Sequence, residues 1–282
     1  MKHRIIIIIF TFVAITSAKA QFTHIGEFGF TFGAANYFGD LNHNGDITHP
    51  GPTVGGYYLK QFNEYLGMRV SAHYAHVGYS DSYSNNVYQQ ERNLSFKTSI
   101  WEVAVHGDFN FFKFIPGDPK HSFTPFITIG IGAFYFDPYT DLNGQKIYLQ
   151  PLGTEGQNIS YKGYDGKVRK PYSRVAACFP IGMGVKYNLS NGVNFSFEIV
   201  QRLTTTDYLD DVSTTYVGLT KPDGTPNFPP GSVAAQLQDR SKGQVFQANQ
   251  QRGWSKQKDQ YLIAEIGLSF NLSSSYQCPR GD

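Results

Sequence analysis

The mature part of the chain lacks the features that would indicate a membrane-spanning helix or a known catalytic centre. Beyond residue 20, no stretch approaches the roughly 20 consecutive apolar residues that a transmembrane helix needs. The chain contains no G-x-S-x-G, Walker, H-E-x-x-H or C-x-x-C motif. Charged residues make up only 16% of the sequence, there are three methionines, and few segments have a helical pattern. No motif therefore predicts catalytic residues, a metal or a cofactor, and we expect none of them.

The first 20 residues have the pattern of a secretory signal peptide. Basic residues at 2–4 precede an apolar run over 5–15, and Ala18-Lys19-Ala20 provides a cleavage site. No cysteine follows the apolar run, so lipoprotein processing is not indicated. Removing Lys2, Arg4 and Lys19 leaves 21 basic against 22 acidic side chains, which argues against nucleic acid as a partner.

Aromatic residues and glycine are abundant, and they occur in segments of strict alternation. The chain has 23 Phe, 19 Tyr and 29 Gly. Apolar residues alternate with small or polar ones, as where Phe28, Phe30 and Phe32 alternate with Glu27, Gly29 and Thr31. This period of two predicts eight strands, at 27–34, 54–60, 65–79, 96–112, 123–136, 173–187, 193–203 and 262–272. The second is the weakest, and several reach the roughly 9–11 residues of a membrane-spanning strand.

The connections between these strands alternate strictly between long and short. Long gaps cover 38–52, 80–93, 138–172 and 205–258, and the other gaps are short. This alternation predicts an all-β, eight-stranded antiparallel up-and-down outer-membrane β-barrel over 21–272, with long outer loops and short periplasmic turns. Both termini, including a tail at 273–282, then lie on the periplasmic side of the cell outer membrane. A soluble periplasmic β-sandwich remains the alternative.

The polar face of the strands predicts a charged barrel interior. An eight-stranded barrel is just filled by side chains, and buried charges need partners. We expect a paired network in the lumen; a catalytic or conducting lumen is the alternative. Its members are Glu27, Arg69, Glu102, His106, Glu198, Arg202 and Glu265, joined by His73, Asp108, Arg174 and Lys186.

Three short stretches contain residues that could form a binding site. "DLNHNGDIT" (40–48) resembles the start of a calcium loop, but Gly51 occupies the position of the required Glu, so a turn-rich loop is the preferred interpretation. His73 and His76 fall on opposite faces of one strand and cannot share a metal. "TTDYLDDVSTTY" (205–216) predicts a structured cap on the barrel rim, with a helical turn capped by Thr206 or Asp207; a cation site is the alternative.

The two cysteines are predicted to lie far apart. Cys178 falls within the sixth strand and Cys278 in the tail beyond the last one, roughly 30 Å away at the rise of a strand. A disulfide needs Cα atoms within about 7 Å, so an internal bridge is not expected. We predict that Cys278 pairs with a cysteine of a partner, while an unpaired thiol is the alternative.

Three elements together resemble one family, the PorG-type outer-membrane barrel of the Bacteroidetes type IX secretion system. They are "GAANYFGDL" (33–41), "TTDYLDDVSTTY" and the Cys-Pro tail "QCPRGD". The resemblance implies a non-enzymatic anchoring subunit that docks on the periplasmic PorK/PorN ring, serving protein secretion and in some members gliding. The matching positions are Asn36, Tyr37, Gly39, Asp40, Thr206, Asp207, Tyr208, Leu209, Asp210, Asp211, Val212 and Ser213.

Outer-membrane lipid is the other expected partner, and no small-molecule substrate is expected. The alternative function is a lipid-modifying enzyme or a ligand-binding or adhesion barrel. An enzyme could be imagined to use Ser213, His76 and Asp207 at the outer mouth, but no spacing supports that set.

Overall fold

A computed structural model describes residues 26–163, 166–190, 192–243 and 245–272. The predicted signal peptide and the predicted tail with Cys278 lie outside these residues. Within the described ranges, no helix has both the length and the apolar character required to cross a membrane.

Eight long strands form one closed antiparallel sheet. Its strand order is β3-β2-β1-β10-β9-β8-β5-β4, and a further pairing of β3 with β4 closes it. The predicted eight-stranded up-and-down barrel is therefore confirmed, including its weakest strand, β2. The barrel strands are β1 (Gly26–Phe38), β2 (Gly51–Gln61), β3 (Leu66–Ser80), β4 (Ser95–Asn110), β5 (Phe123–Tyr135), β8 (Val175–Ser190), β9 (Val193–Thr204) and β10 (Gln260–Asn271).

Short elements occupy the connections. β6 (Tyr139–Leu142) and β7 (Gln145–Tyr148) form a hairpin that extends the sheet beyond the upper end of β4. Two one-to-two-turn helices, α1 (Val87–Arg92) and α2 (Val233–Gln238), lie in the second and fourth long loops. Single turns of 3-10 helix cover Asp81–Tyr83, Pro119–His121, Gln150–Leu152 and Gln157–Ile159.

The barrel is inverted relative to a soluble protein. Trp101 on β4 is 61% exposed, whereas its neighbour Glu102 is 2% exposed and points into the lumen. The same contrast runs around the wall, where large apolar side chains face outward and charged ones inward. Soluble sandwiches bury the apolar face, so this arrangement is that of a barrel whose outer wall faces lipid.

Long and short connections lie at opposite ends of the barrel, as predicted. Glu27 at the start of β1 pairs with Asn271 at the end of β10, which places both ends of the described chain at the short-turn end. In the turn between β4 and β5, Phe114 is completely buried and its N–H donates to the Glu64 carbonyl. The turn between β4 and β5 is thereby bonded to the turn between β2 and β3 at the short-turn end.

The four long loops pack together over the other mouth of the barrel. We call residues 39–50, 81–94, 136–174 and 205–259 the loop cap. Leu41, Phe136, Leu149, Leu209 and Leu237 come from all but the second of these loops and belong to one apolar core with the upper strand residues. Leu94 adds the second loop to that core. The cap is thus a folded layer with its own interior.

Candidate functional site

The two motifs that carry the family resemblance meet under the loop cap. Tyr37 lies at the upper end of β1 and its ring is buried. Its hydroxyl donates to Asp210 Oδ2 at 2.5 Å and is 3.1 Å from Asp259 Oδ1. With Asp40, Asp207, Asp211 and Glu155, these two aspartates form a buried group that we call the carboxylate cluster.

Two glycines allow the chain segments to approach this cluster closely. A Cβ added to Gly39 would lie 2.0 Å from Asp259 Oδ1 and 2.2 Å from the Tyr37 hydroxyl. A Cβ on Gly253 would lie 2.5 Å from Asp40 Oδ2. The next residue, Trp254, donates its N–H to Asp40 Oδ1 at 2.8 Å. The glycine of the first motif is therefore required by the geometry of the cluster.

The second motif forms a hydrogen-bonded turn, and the predicted helical turn capped by Thr206 or Asp207 is wrong. Asp211 has a φ of +65°, which is incompatible with a continuing helix. Asp207 Oδ2 accepts from Ser213 Oγ at 2.6 Å, and Asp210 Oδ1 accepts from the Val212 N–H. Thr206 Oγ1 accepts from the Tyr208 N–H, a local bond that competes with helix.

Glu155, from the third long loop, holds the far end of this motif. It accepts from the N–H groups of Ser213 and Thr214 and from the Thr214 hydroxyl at 2.5 Å. Arg252 pairs with it at 3.1 Å and also donates to the Asp211 carbonyl. The fourth loop is thereby tied to the third through groups that satisfy one another.

Arg92, at the end of α1, connects the second loop to the first and fourth. Its guanidinium forms a two-pronged ion pair with Asp81, with distances of 2.7 and 2.8 Å. It also donates to the carbonyls of Asp40 and Arg252. Sequence reasoning missed Arg92, Glu155, Arg252 and Asp259, because each lies far along the chain from the motif it contacts.

Burial raises the pKa of most carboxyls in the cluster. It raises the pKa of Asp207 to about 7 and the pKa values of Asp40 and Asp211 to about 6. For Asp210, burial and then the negative charge of Asp259 raise the pKa well above the ordinary value. Two carboxylates that share one tyrosine hydroxyl disfavour each other's ionised form, and the pKa of Asp259 is likewise raised, first by burial.

No metal site emerges from the considered stretches. Among the described residues, no group of three or more His, Cys, Asp or Glu side chains is arranged to hold a metal ion. In the first loop, the Asn42 side-chain amide donates to the carbonyls of Tyr37 and Asp46, while its oxygen accepts from the Asp46 N–H. This loop is a closed polar turn.

The structure does not assemble the imagined catalytic set. Ser213 and Asp207 contact each other, but His76 lies on the outward face of β3, where its Nδ1 is 3.4 Å from Ser99 Oγ. His73, in contrast, points into the lumen. The two histidines thus lie on opposite faces, as the strand period requires.

Charged side chains fill the lumen below the cap. Arg69 contacts both oxygens of Glu198 at 2.7 and 2.8 Å and lies 3.5 Å from Asp108. Lys186 pairs with Asp108 from the other side at 3.0 Å. Glu27, nearer the short-turn end, accepts from Ser269 at 2.9 Å.

The upper half of the lumen continues the network. Arg202 lies 3.3 Å from Glu102, which also accepts from the Tyr261 hydroxyl at 2.5 Å. His73 Nε2 lies 3.1 Å from Glu265, and His106 Nε2 lies 3.0 Å from Ser71 Oγ. All seven residues of the predicted lumen network are therefore buried in the interior.

One predicted member of the interior is misplaced. Arg174 precedes β8, its side chain is 42% exposed, and it pairs with Asp137 at 3.1 Å outside the lumen. The alternation of β8 would place Arg174 on the inward face, but the strand begins one residue later, at Val175. Cys178, by comparison, is fully buried, with its sulfur 3.9 Å from Glu102 Oε2.

Comparisons with solved structures return small outer-membrane barrels with low similarity. Ail of Yersinia pestis has a TM-score of 0.41 at 9% identity, covering 89% of this chain and 100% of its own. Neisserial surface protein A also scores 0.41 at 9% identity, covering 87% and 96%. The outer membrane enzyme PagL scores 0.29 at 11% identity, covering 86% and 98%. At these scores the barrel is established by the strand pairings of the chain itself.

No curated protein matches the sequence significantly. Residues 3–151 match the family described as Domain of unknown function (DUF6089). This match covers most of the predicted signal peptide, β1 to β7 and the first two long loops, including the first motif with Tyr37 and Asp40. Because the match spans more than half of the sequence, the chain belongs to the DUF6089 family.

Proposed function

We propose that the protein is a non-enzymatic anchoring subunit of an outer-membrane protein secretion machine of the type IX kind. In this role the barrel wall holds the protein in the lipid, and the short-turn end faces the periplasm and docks on a PorK/PorN-type ring. The proposal starts from the resemblance of the two motifs to the PorG-type barrels.

The observation that carries the proposal is a barrel whose lumen is filled and whose loop-bearing mouth is covered. The lumen is filled by ion pairs such as Arg69 with Glu198, and the loop cap covers the outer mouth with a packed interior. A filled eight-stranded barrel leaves no path for solutes. The function of the protein is then carried by its outer surfaces and not by its lumen.

The turn at 113–121 is the described part of the docking end. Its backbone is fixed, since the Ile115 N–H donates to the His121 carbonyl and Asp118 pairs with His121 at 2.7 Å. Lys120 is exposed at its tip. An ordered turn with an exposed cation can recognise a partner without paying the entropy of folding on binding.

Affinity purification of the tagged protein from native outer membranes, followed by quantitative mass spectrometry, tests the proposal. We expect ring proteins to be enriched, and Lys120→Glu to reduce that enrichment. Lys221→Glu, at an exposed position in the fourth outer loop, is the matched control and should leave the enrichment unchanged. Efficient recovery of the barrel without any ring protein would refute the proposal.

The tail supplies a second contact in this scheme. We predict that Cys278 forms a mixed disulfide with a partner, because Cys178 is buried in the barrel and the sequence predicts a separation of roughly 30 Å between the two cysteines. Non-reducing gels of native membranes should contain a higher-mass band that disappears in Cys278→Ser. The same gel pattern for both proteins would contradict this contact.

One observation favours a ligand-binding barrel as the second candidate. A cleft of about 640 Å³ opens on the loop cap, lined by Arg169, Thr215, Gln251 and Trp254 among others. Trp254 is 50% exposed there. Binding of soluble saccharides by the purified barrel, lost in Trp254→Ala while ring association persists, would support this candidate over anchoring alone.

A further inference from the structure

A row of aromatic side chains marks the upper edge of the apolar wall. Tyr74, Trp101 and Tyr135 lie side by side on β3, β4 and β5, because Trp101 is the register partner of both tyrosines. The rings of Tyr74 and Trp101 are 4.8 Å apart. Tyrosine and tryptophan concentrate where the hydrocarbon of a membrane meets its headgroups. The row therefore marks the level of the outer headgroup boundary.

Basic side chains lie directly above this row on the same outward face. Lys97 precedes Trp101 by four residues on β4, toward the loop cap, and is the register partner of Tyr139 in β6. Lys146, on β7, places its Nζ 3.8 Å from the centre of the Tyr139 ring. The ring of His76 is 6.3 Å from the same tyrosine. We call Lys97, Lys146 and His76 the basic rim.

The height of the basic rim matches the headgroup layer. Four residues of strand correspond to about 13 Å along β4. Because barrel strands tilt by about 40°, this is about 10 Å above the aromatic row. Long lysine side chains can bend toward the headgroups from such a position. The rim cations can therefore reach the phosphates of the outer leaflet.

Within the described chain, tyrosine rings, and no carboxylate, contact the ammonium of Lys146, whose Nζ lies 3.8 Å from the centre of the Tyr139 ring and 4.8 Å from that of Tyr148. Asp141 faces Lys146 across the hairpin, but its Oδ1 accepts from the Gly144 N–H. Asp137 is paired with Arg174 at 3.1 Å. Among the described residues, neither Lys97 nor Lys146 has a carboxylate oxygen within 4.0 Å. The two lysines of the rim thus carry positive charge next to lipid without a direct carboxylate contact among the described residues.

A groove beside the rim offers room for a sugar headgroup. It has a volume of about 490 Å³ and is lined by His49, His76, Tyr79, Tyr83, Lys97 and Asp141, among others. The rings of His49 and Tyr83 are stacked at 3.7 Å, which fixes one of its walls. Flat rings beside hydrogen-bonding groups suit a saccharide, and the adjacent lysines suit its phosphate.

We propose that the basic rim and this groove bind the phosphorylated sugar headgroup of an outer-leaflet glycolipid. The groove adjoins the lipid-facing wall, so the acyl chains of such a molecule would lie against Trp101 and Tyr74 while its phosphate meets Lys97 and Lys146. A soluble anion lacks the acyl contacts, which is why the lipid is the favoured source of the phosphate.

Native mass spectrometry of the refolded mature chain in detergent tests this assignment. The probe is phosphorylated lipid A, and its dephosphorylated form is the matched lipid. Each lysine near an anionic group contributes about 1 kcal/mol, or roughly fivefold in affinity. The double variant Lys97→Gln/Lys146→Gln should therefore bind the phosphorylated lipid roughly 30-fold more weakly.

Lys60→Gln, at an exposed position near the short-turn end of β2, is the control and should bind like the wild type. Heat-modifiable gel mobility verifies that each variant is folded. Equal affinity of the double variant and the wild type would overturn the proposal. Displacement of the lipid by excess inorganic phosphate would overturn the lipid assignment, because the site would then recognise the free anion.

Discussion

Replacing Tyr37 with phenylalanine removes the group that joins the two motifs. The hydroxyl donates to Asp210 at 2.5 Å and lies 3.1 Å from Asp259, and all three side chains are buried. Hydrogen bonds to charged or proton-sharing carboxyls contribute roughly 1.5–3 kcal/mol, and their loss leaves buried oxygens unsatisfied. We expect Tyr37→Phe to lower the free energy of cap opening by about 2 kcal/mol.

Hydrogen–deuterium exchange of the protein in lipid vesicles measures this effect segment by segment. A change of about 2 kcal/mol corresponds to roughly 30-fold faster exchange of amides in 207–216, with the lower barrel strands unaffected. Tyr135→Phe is the matched control, because it removes only a long hydrogen bond of 3.4 Å to Asp137 at the exposed rim. A change of less than about threefold in the 207–216 segment would refute the reasoning.

Three further predictions concern the cluster and the lumen. Gly39→Ala should disrupt the cap, because the new Cβ would lie 2.0 Å from Asp259 Oδ1. Gly56→Ala is the control, since its Cβ would lie 3.6 Å from the nearest atom. Limited proteolysis should cleave the loops faster in the first variant and not in the second. Burial raises the pKa of Asp207 to about 7, above its unfolded value of about 4. The contribution of Asp207 to stability is therefore fully present below about pH 4 and is lost as the pH rises through 7. Exchange protection of the cap should fall over that range, and Asp207→Asn should make the fall smaller, leaving the part that Asp40 and Asp211 contribute. Arg69→Met leaves the buried Glu198 without its cation, while Asp108 keeps Lys186 at 3.0 Å. This variant should cost about 3–5 kcal/mol in a urea titration, against about 0–1 kcal/mol for the exposed Arg174→Met.

The barrel was predictable because its signal is local and repeated. In β1, Phe28, Phe30 and Phe32 alternate with Glu27 and Thr31, and each strand repeats such a contrast independently. Alternation does not tell which face is buried. The strict alternation of long and short connections decided between the two, because an up-and-down barrel has its long loops at one end and its short turns at the other.

The carboxylate cluster could not be predicted because its contacts cross long distances in sequence. Tyr37 and Asp210 are separated by 173 positions, and no periodic pattern connects them. The local sequence predicts a helical turn within 204–211, since Thr and Asp are common caps. In the structure those same groups bond to Ser213 and Val212, while Glu155 and Arg252 hold the following residues. Tertiary hydrogen bonds decided the local conformation.

Arg174 illustrates the limit of a face assignment. The alternation of β8 places it on the polar side, but the strand begins at Val175, so its side chain pairs with Asp137 at the rim. Strand ends depend on where neighbouring strands stop pairing, and this information is not contained in one segment. The charge balance of the lumen was therefore misjudged by one cation.

Closure of the barrel is the central claim, because every function assigned to its surfaces depends on a lumen that neither conducts nor admits substrate. Single-channel recording of the refolded mature chain in a planar lipid bilayer tests it most directly. We predict no discrete conductance at neutral pH, since the Arg69 network and the loop cap fill both halves of the path. Reproducible channel openings from correctly folded, heat-modifiable protein would contradict the account.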